Sequence, residues 1–89
     1  MRIRIPSSWR KLTNGAAAVE ESAATVAELI DRLDVRFPGL AGKMCEPDGQ
    51  LKRFINVFVS GKDIRNLQGV QTPLQDGDEV VIAPAMARG

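Results

Sequence analysis

One stretch of this chain carries the rhythm of a helix, and that limits the fold more than any other feature. Val26, Leu29, Ile30, Leu33 and Phe37 recur at three- and four-residue steps, which lines them along a single face. Thr25 and Glu28 have capping-box spacing, in which the threonine hydroxyl accepts from a first-turn amide and the glutamate reaches back. Glu28, Asp31 and Arg32 fall on the other face, with Glu28 four residues before Arg32. Pro38 excludes helical geometry at Phe37 and Gly39 follows, so the helix stops there. One amphipathic helix cannot bury its own apolar stripe. The rest of the chain must cover it.

The other apolar residues alternate with period two, the rhythm of strands. Arg2-Ile3-Arg4-Ile5 points Ile3 and Ile5 to one side, and Pro6, which cannot donate to a ladder, ends the run. Residues 7–15 read as a loop with Asn14-Gly15 as its turn, and residues 16–20 as a strand returning along the first. Residues 40–51 hold at most a short turn of helix before the Pro47-Asp48-Gly49 turn. Residues 53–59 form the clearest strand: Ile55, Val57 and Val59 share one face, and Phe54, Asn56 and Phe58 the other. Ser60-Gly61-Lys62 turns the chain into a short segment ending near Ile64-Arg65, and residues 66–75 read as loop. Asp76-Gly77-Asp78 then turns into a last strand over residues 79–83, closed by Pro84.

The order is strand, strand, helix, strand, short strand, strand, an α+β two-layer domain of one helix on one mixed four- to five-stranded sheet. The long crossover through the helix lets the first and last strands lie parallel at the sheet centre. Ile3, Ile5, Ile55, Val57, Val80 and Ile82 are expected to meet Val26, Leu29, Ile30 and Leu33. Phe54, Phe58, Val81 and Ala83 are expected on the far face, where no second helix covers them, which marks that face as a candidate partner-binding site. The expected division is a folded domain over residues 1–84 and a flexible tail over 85–89.

Composition removes several functions. With 89 residues the chain makes one small domain with no room for a deep cofactor cavity. A net charge of +1 argues against bulk electrostatic binding of nucleic acid. Arg2, Arg4, Arg10 and Lys11 make the start locally basic, read as a solvated face or as a docking patch for an acidic partner. No apolar run has the length of a membrane span and no signal-like segment opens the chain, so the expected location is cytoplasmic. Histidine and tyrosine are absent, which removes the commonest general base and the usual metal ligand. Cys45, with an acidic neighbour in Glu46, reads as a small semi-buried hydrophobe rather than a thiolate. Asp76 and Asp78 supply too few oxygens for calcium and read as a turn. Trp9 either folds over the edge of the core or anchors a partner.

The run Phe54-Ile55-Asn56-Val57-Phe58-Val59-Ser60-Gly61-Lys62-Asp63-Ile64-Arg65 resembles the third strand and following turn of the MoaD/ThiS family of ubiquitin-like sulfur carriers. Leu74-Gln75-Asp76-Gly77-Asp78-Glu79-Val80-Val81-Ile82-Ala83-Pro84-Ala85 is similar to that family's last strand and the start of its tail. The spacing of these runs and the opening Ile3-x-Ile5-Pro6 look closest to the branch that supplies sulfur for cysteine synthesis. The resemblance covers essentially the whole chain and implies a β-grasp fold.

The resemblance also implies a chemistry. The chain would be a carrier and not an enzyme, and would bind no cofactor of its own. An E1-like adenylating enzyme would spend ATP on the carboxyl of Gly89, sulfur would replace AMP to give a thiocarboxylate, and a sulfur-accepting synthase would receive it. The nearest branch implies a pyridoxal-phosphate (PLP)-dependent cysteine synthase; molybdopterin, thiamine or tRNA thiolation stay open. Ala85, Met86, Ala87, Arg88 and Gly89 would form the tail, five residues that span roughly 17 Å when extended. A glycine suits its end because it has no Cβ to clash in a narrow channel. Arg88 stands where the family carries a first glycine. That departure keeps open a second reading: a ubiquitin-like interaction module without sulfur transfer.

Overall fold

The computed structural model describes residues 1–84. Within them a five-stranded sheet is crossed on one face by a single long helix. Its elements are β1 (Arg2–Arg4), β2 (Ala18–Glu20), α1 (Val26–Arg36), α2 (Leu40–Met44), β3 (Ile55–Val59), β4 (Lys62–Asp63) and β5 (Glu79–Pro84). The strand order is β2-β1-β5-β3-β4. β1 and β5 run parallel at the centre, with Ile3 opposite Val80; the other pairs are antiparallel. The parallel pair needs the long crossover that α1 supplies.

α1 begins as its capping residues dictate. Glu28 N donates to Thr25 Oγ1 at 3.2 Å, and Ala24 N donates to Glu28 Oε1 at 2.7 Å, so the glutamate reaches one residue further back than the standard box. The helix ends with Phe37 as its C-cap, outside helical geometry, as Pro38 requires. Arg36 Nη1 then donates to Glu20 O at 2.6 Å and ties the end of α1 to the sheet's edge strand.

Val26, Leu29, Ile30 and Leu33 are buried against Ile3, Ile5, Ile55, Val57, Val80 and Ile82, so the inward faces match the alternation in the sequence. The core is wider than that set. Leu40 and Met44 of α2, Trp9, Ile64, Val70 and Leu74 are buried in it too. Trp9 sits in a one-turn 3-10 helix within the loop after β1 and closes the core's edge. The segment over 66–75, expected as loop, carries a 3-10 turn at Gly69–Gln71. The buried Thr72 hydroxyl donates to Gly69 O at 2.7 Å and accepts from Gln68 N at 3.1 Å. Thr13, also buried, donates to Ala16 O at 3.0 Å. These bonds satisfy polar groups that would otherwise be costly inside.

Several boundaries differ from the sequence reading. β2 is three residues long and omits Ala16 and Ala17, although Ile5 N donates to Ala17 O at 2.8 Å. β3 starts at Ile55, because Arg53 and Phe54 lie in a turn closed by Ile55 N donating to Lys52 O at 3.1 Å. α2 is a defined short helix. Gly39 N and Ala41 N both donate to Asp34 Oδ1, at 3.1 and 3.0 Å, which satisfies amides at its start. Pro84 belongs to β5 instead of ending it, paired with Ile55. Ser60 N donates to Glu79 O, and bonded pairs alternate along an antiparallel ladder. Phe58–Val81 and Asn56–Ala83 are therefore bonded pairs and Ile55–Pro84 is a non-bonded one. The N–H that proline lacks would have pointed away from β3, so that ladder loses nothing.

Candidate functional site

The far face of the sheet is built by the same alternation that fills the core. With Val57, Val80 and Ile82 turned in, Asn56, Phe58, Val81 and Ala83 turn out. Phe58 lies directly opposite Val81, and Asn56 opposite Ala83, so Phe58, Val81 and Ala83 form one half-buried apolar strip across β3 and β5. Phe54 is not part of that ladder. It sits in the turn before β3 and is 59% exposed, a protruding aromatic at the end of the sheet where β5 finishes.

Charge frames the strip. Arg4 is the β1 neighbour of Val81, and its Nε donates to Glu79 Oε2 at 3.0 Å. Arg2 Nε lies 3.7 Å from Glu20 Oε2. The basic residues of β1 are thus engaged in ion pairs on the sheet. Both pairs are exposed, so they define the rim more than they stabilise the fold. On the other side Arg65 Nη1 donates to Asn56 Oδ1 at 2.7 Å. Nothing in the sequence singles out that contact: nine residues separate the partners and no repeat or cap relates them.

Among the described residues no group of three or more His, Cys, Asp or Glu is placed to hold a metal ion. Asp78 is engaged as a turn residue, its Oδ1 accepting from Ser60 Oγ at 2.9 Å and its Oδ2 from Gln75 N at 2.9 Å. Cys45 lines a groove of about 690 Å³ on the helix side, between α1, α2 and the 46–50 loop. Burial pushes its thiol pKa up, and the nearby Asp31 and Asp48 carboxylates push it further, which disfavours the nucleophilic thiolate. Among the described residues no helix is long and apolar enough to cross a membrane.

Ala85, Met86, Ala87, Arg88 and Gly89 lie outside the described residues. The last described strand, β5, lies between β1 on one side and β3 on the other and ends at Pro84.

A mixed sheet in the order β2-β1-β5-β3-β4 with one helix packed across it is the ubiquitin-like β-grasp fold, and the solved structures agree. A chain in the crystal structure of the Amycolatopsis orientalis BexX/CysO complex superposes with a TM-score of 0.93 at 38% identity, over 99% of this chain and 98% of that one. Mycobacterium tuberculosis CysO superposes with a TM-score of 0.91 at 33% identity, over 96% and 98%. The protein belongs to the ThiS family, which matches residues 3–89. Among curated relatives, the sulfur carrier protein CysO of M. tuberculosis is 35% identical over 98% of this chain and 96% of its own length. The small archaeal modifier protein 3 of Haloferax volcanii is 39% identical over 74% of this chain and 71% of its own. These relatives are small ubiquitin-like carriers and modifiers, not enzymes.

Proposed function

We propose that this protein is a sulfur carrier whose reacting group is the carboxyl of Gly89. The observation that carries the reading is the combination of full-length similarity to CysO with a central last strand that leads directly into residues 85–89. The domain itself supplies no acid, base or nucleophile for the chemistry. Its part is to dock and to present a chain end.

The carboxylate of Gly89 attacks the α-phosphate of ATP in an E1-like adenylating enzyme, pyrophosphate leaves, and an acyl-adenylate forms. A sulfide sulfur then attacks the acyl carbon and AMP leaves, giving a thiocarboxylate. A sulfur-accepting synthase takes that sulfur. The branch resemblance and the CysO relatives favour a PLP-dependent cysteine synthase as the acceptor, with cysteine as the product. The complex of CysO with BexX gives a precedent for a carrier of this shape bound to a partner protein. Phe58, Val81 and Ala83 form the docking strip in this reading, and exposed Phe54 extends it toward the end of β5.

Arg88 supports a second reading, an interaction module that docks through the same face without sulfur transfer, because a long side chain stands where a narrow channel favours glycine. ATP–pyrophosphate exchange with an activating enzyme from the same genome separates the two. A carrier supports exchange that requires Gly89. A module gives background rates with either the wild-type chain or Arg88→Gly.

A further inference from the structure

β4 is only two residues long, pairing Lys62 and Asp63 with Val59 and Phe58. A longer partner would continue along β3 toward Ile55, but the chain turns away into the 3-10 turn Ile64–Asn66. The Ile55 carbonyl is then an edge acceptor. It belongs to a non-bonded pair with Pro84, so it points away from β5 toward the side where β4 has already ended. Unpaired edge groups of this kind are a liability that folds usually cover.

Arg65 covers it. Its Nη2 donates to Ile55 O at 2.7 Å, to Lys52 O at 2.8 Å and, more distantly, to Arg53 O at 3.4 Å, while Nη1 donates to Asn56 Oδ1 at 2.7 Å. One planar guanidinium thus replaces the missing length of β4 and gathers the whole 52–56 segment. Asp63 Oδ1 accepts from Arg65 N at 2.9 Å and fixes the start of the turn that carries it. The clamped segment is also the one that flanks the end of β5. Ile55 is the register partner of Pro84 and Asn56 of Ala83, and Phe54 protrudes from the clamped turn.

We propose that Arg65 is a positioning residue for the carrier reaction. It holds the 52–56 segment so that the end of β5 at Pro84 and Phe54 meet the activating enzyme in one fixed relation. The proposal rests on the sulfur-carrier reading. A fork of several donors in one plane is needed, because the acceptors are three backbone carbonyls and one side-chain amide converging on a single group. Lysine keeps the charge but presents a point donor, so Arg65→Lys removes the clamp without removing the cation.

The test joins two readouts on the full-length chain. ATP–pyrophosphate exchange is measured against carrier concentration well below the melting temperature for wild type and Arg65→Lys, and backbone amide shifts are recorded for both. The expected result is a KM for the carrier raised by roughly tenfold with kcat retained, the scale of one lost charge-assisted hydrogen bond. Amide shifts are expected to change at Lys52–Asn56 and to carry across the ladder to Ala83. An unchanged KM beside shifted 52–56 amides makes Arg65 a stabilising residue only and overturns the proposal. A raised KM with unshifted amides at both 52–56 and Ala83 means the enzyme touches Arg65 directly, which also overturns it. Absence of exchange with wild type overturns the carrier reading itself, and the proposal falls with it for that separate reason.

Discussion

Phe58 stands directly opposite Val81 in a hydrogen-bonded pair on the face of the sheet turned away from α1. Two apolar side chains in the middle of a face rimmed by charge gain little for the fold, and in the proposed reading they are what a docking partner buries. Phe58→Ala is expected to leave the domain folded, since it loses a cross-strand contact worth about 0.2–1 kcal/mol. Binding to the activating enzyme is expected to weaken by about 2 kcal/mol, as for a central aromatic anchor. Calorimetric titration beside a melting curve checks both. An unfolded variant, or an unchanged affinity, contradicts this use of the face.

The inward side predicts the opposite balance. Leu29→Ala and Met44→Ala each empty a buried site, Leu29 under α1 and Met44 in α2, both 2% exposed. Each is expected to destabilise by about 2–5 kcal/mol in urea unfolding. The second variant is the sharper check, because it asks whether α2 is an integral part of the core. A loss under about 0.5 kcal/mol, the range of ordinary surface substitutions, would show that it is not.

The difference between those two residues explains how far the sequence could be read. Leu29 belongs to an eleven-residue helix with a cap, a stop and four buried apolar residues in period. Met44 belongs to a five-residue helix with a glycine inside it and another just before, too short to show a period. Its start depends on Asp34, whose carboxylate reaches forward to Gly39 and Ala41, and no local pattern announces that. Val70 and Leu74 are hidden in the same way: isolated apolar residues in a loop with no apolar period, buried because the loop folds back under α1. Of the far face, Phe58, Val81 and Ala83 were legible from alternation alone. Alternation continues through Phe54 and so places it in the strand, while the turn that removes it is held by Arg65 from ten or more residues away.

The helix start is also testable. Thr25→Ala removes the acceptor of Glu28 N and is expected to cost about 1 kcal/mol, within the usual span of about 0.5–2 for such caps. Urea midpoints measure it. Thr25→Ser keeps the hydroxyl and is expected to retain most of that stability, and an equal loss for both variants would rule out capping as the cause.

Cys45 gives a pH prediction. Its folded pKa is raised by burial first, then by Asp31 and Asp48, so the thiol holds its proton more tightly folded than unfolded. The stability this contributes is fully present below the unfolded pKa and is lost as pH rises through the folded one. Iodoacetamide is accordingly expected to alkylate the native protein more slowly than the urea-unfolded chain near neutral pH. The unfolding free energy of wild type is expected to fall relative to Cys45→Ala only under alkaline conditions. A native thiol that reacts faster than the unfolded one contradicts the assigned environment.

The central claim is that Gly89 carries sulfur, and intact mass spectrometry tests it most directly. The protein is incubated with ATP, a sulfide source and the E1-like enzyme of its own genome, then weighed. Wild type is expected to gain the mass difference of one sulfur for one oxygen, and a chain lacking Gly89 is expected to gain nothing. Arg88→Gly is expected to convert at least as fast as wild type. An unchanged mass for both wild type and Arg88→Gly, with an enzyme shown to be active on another carrier, would contradict the account.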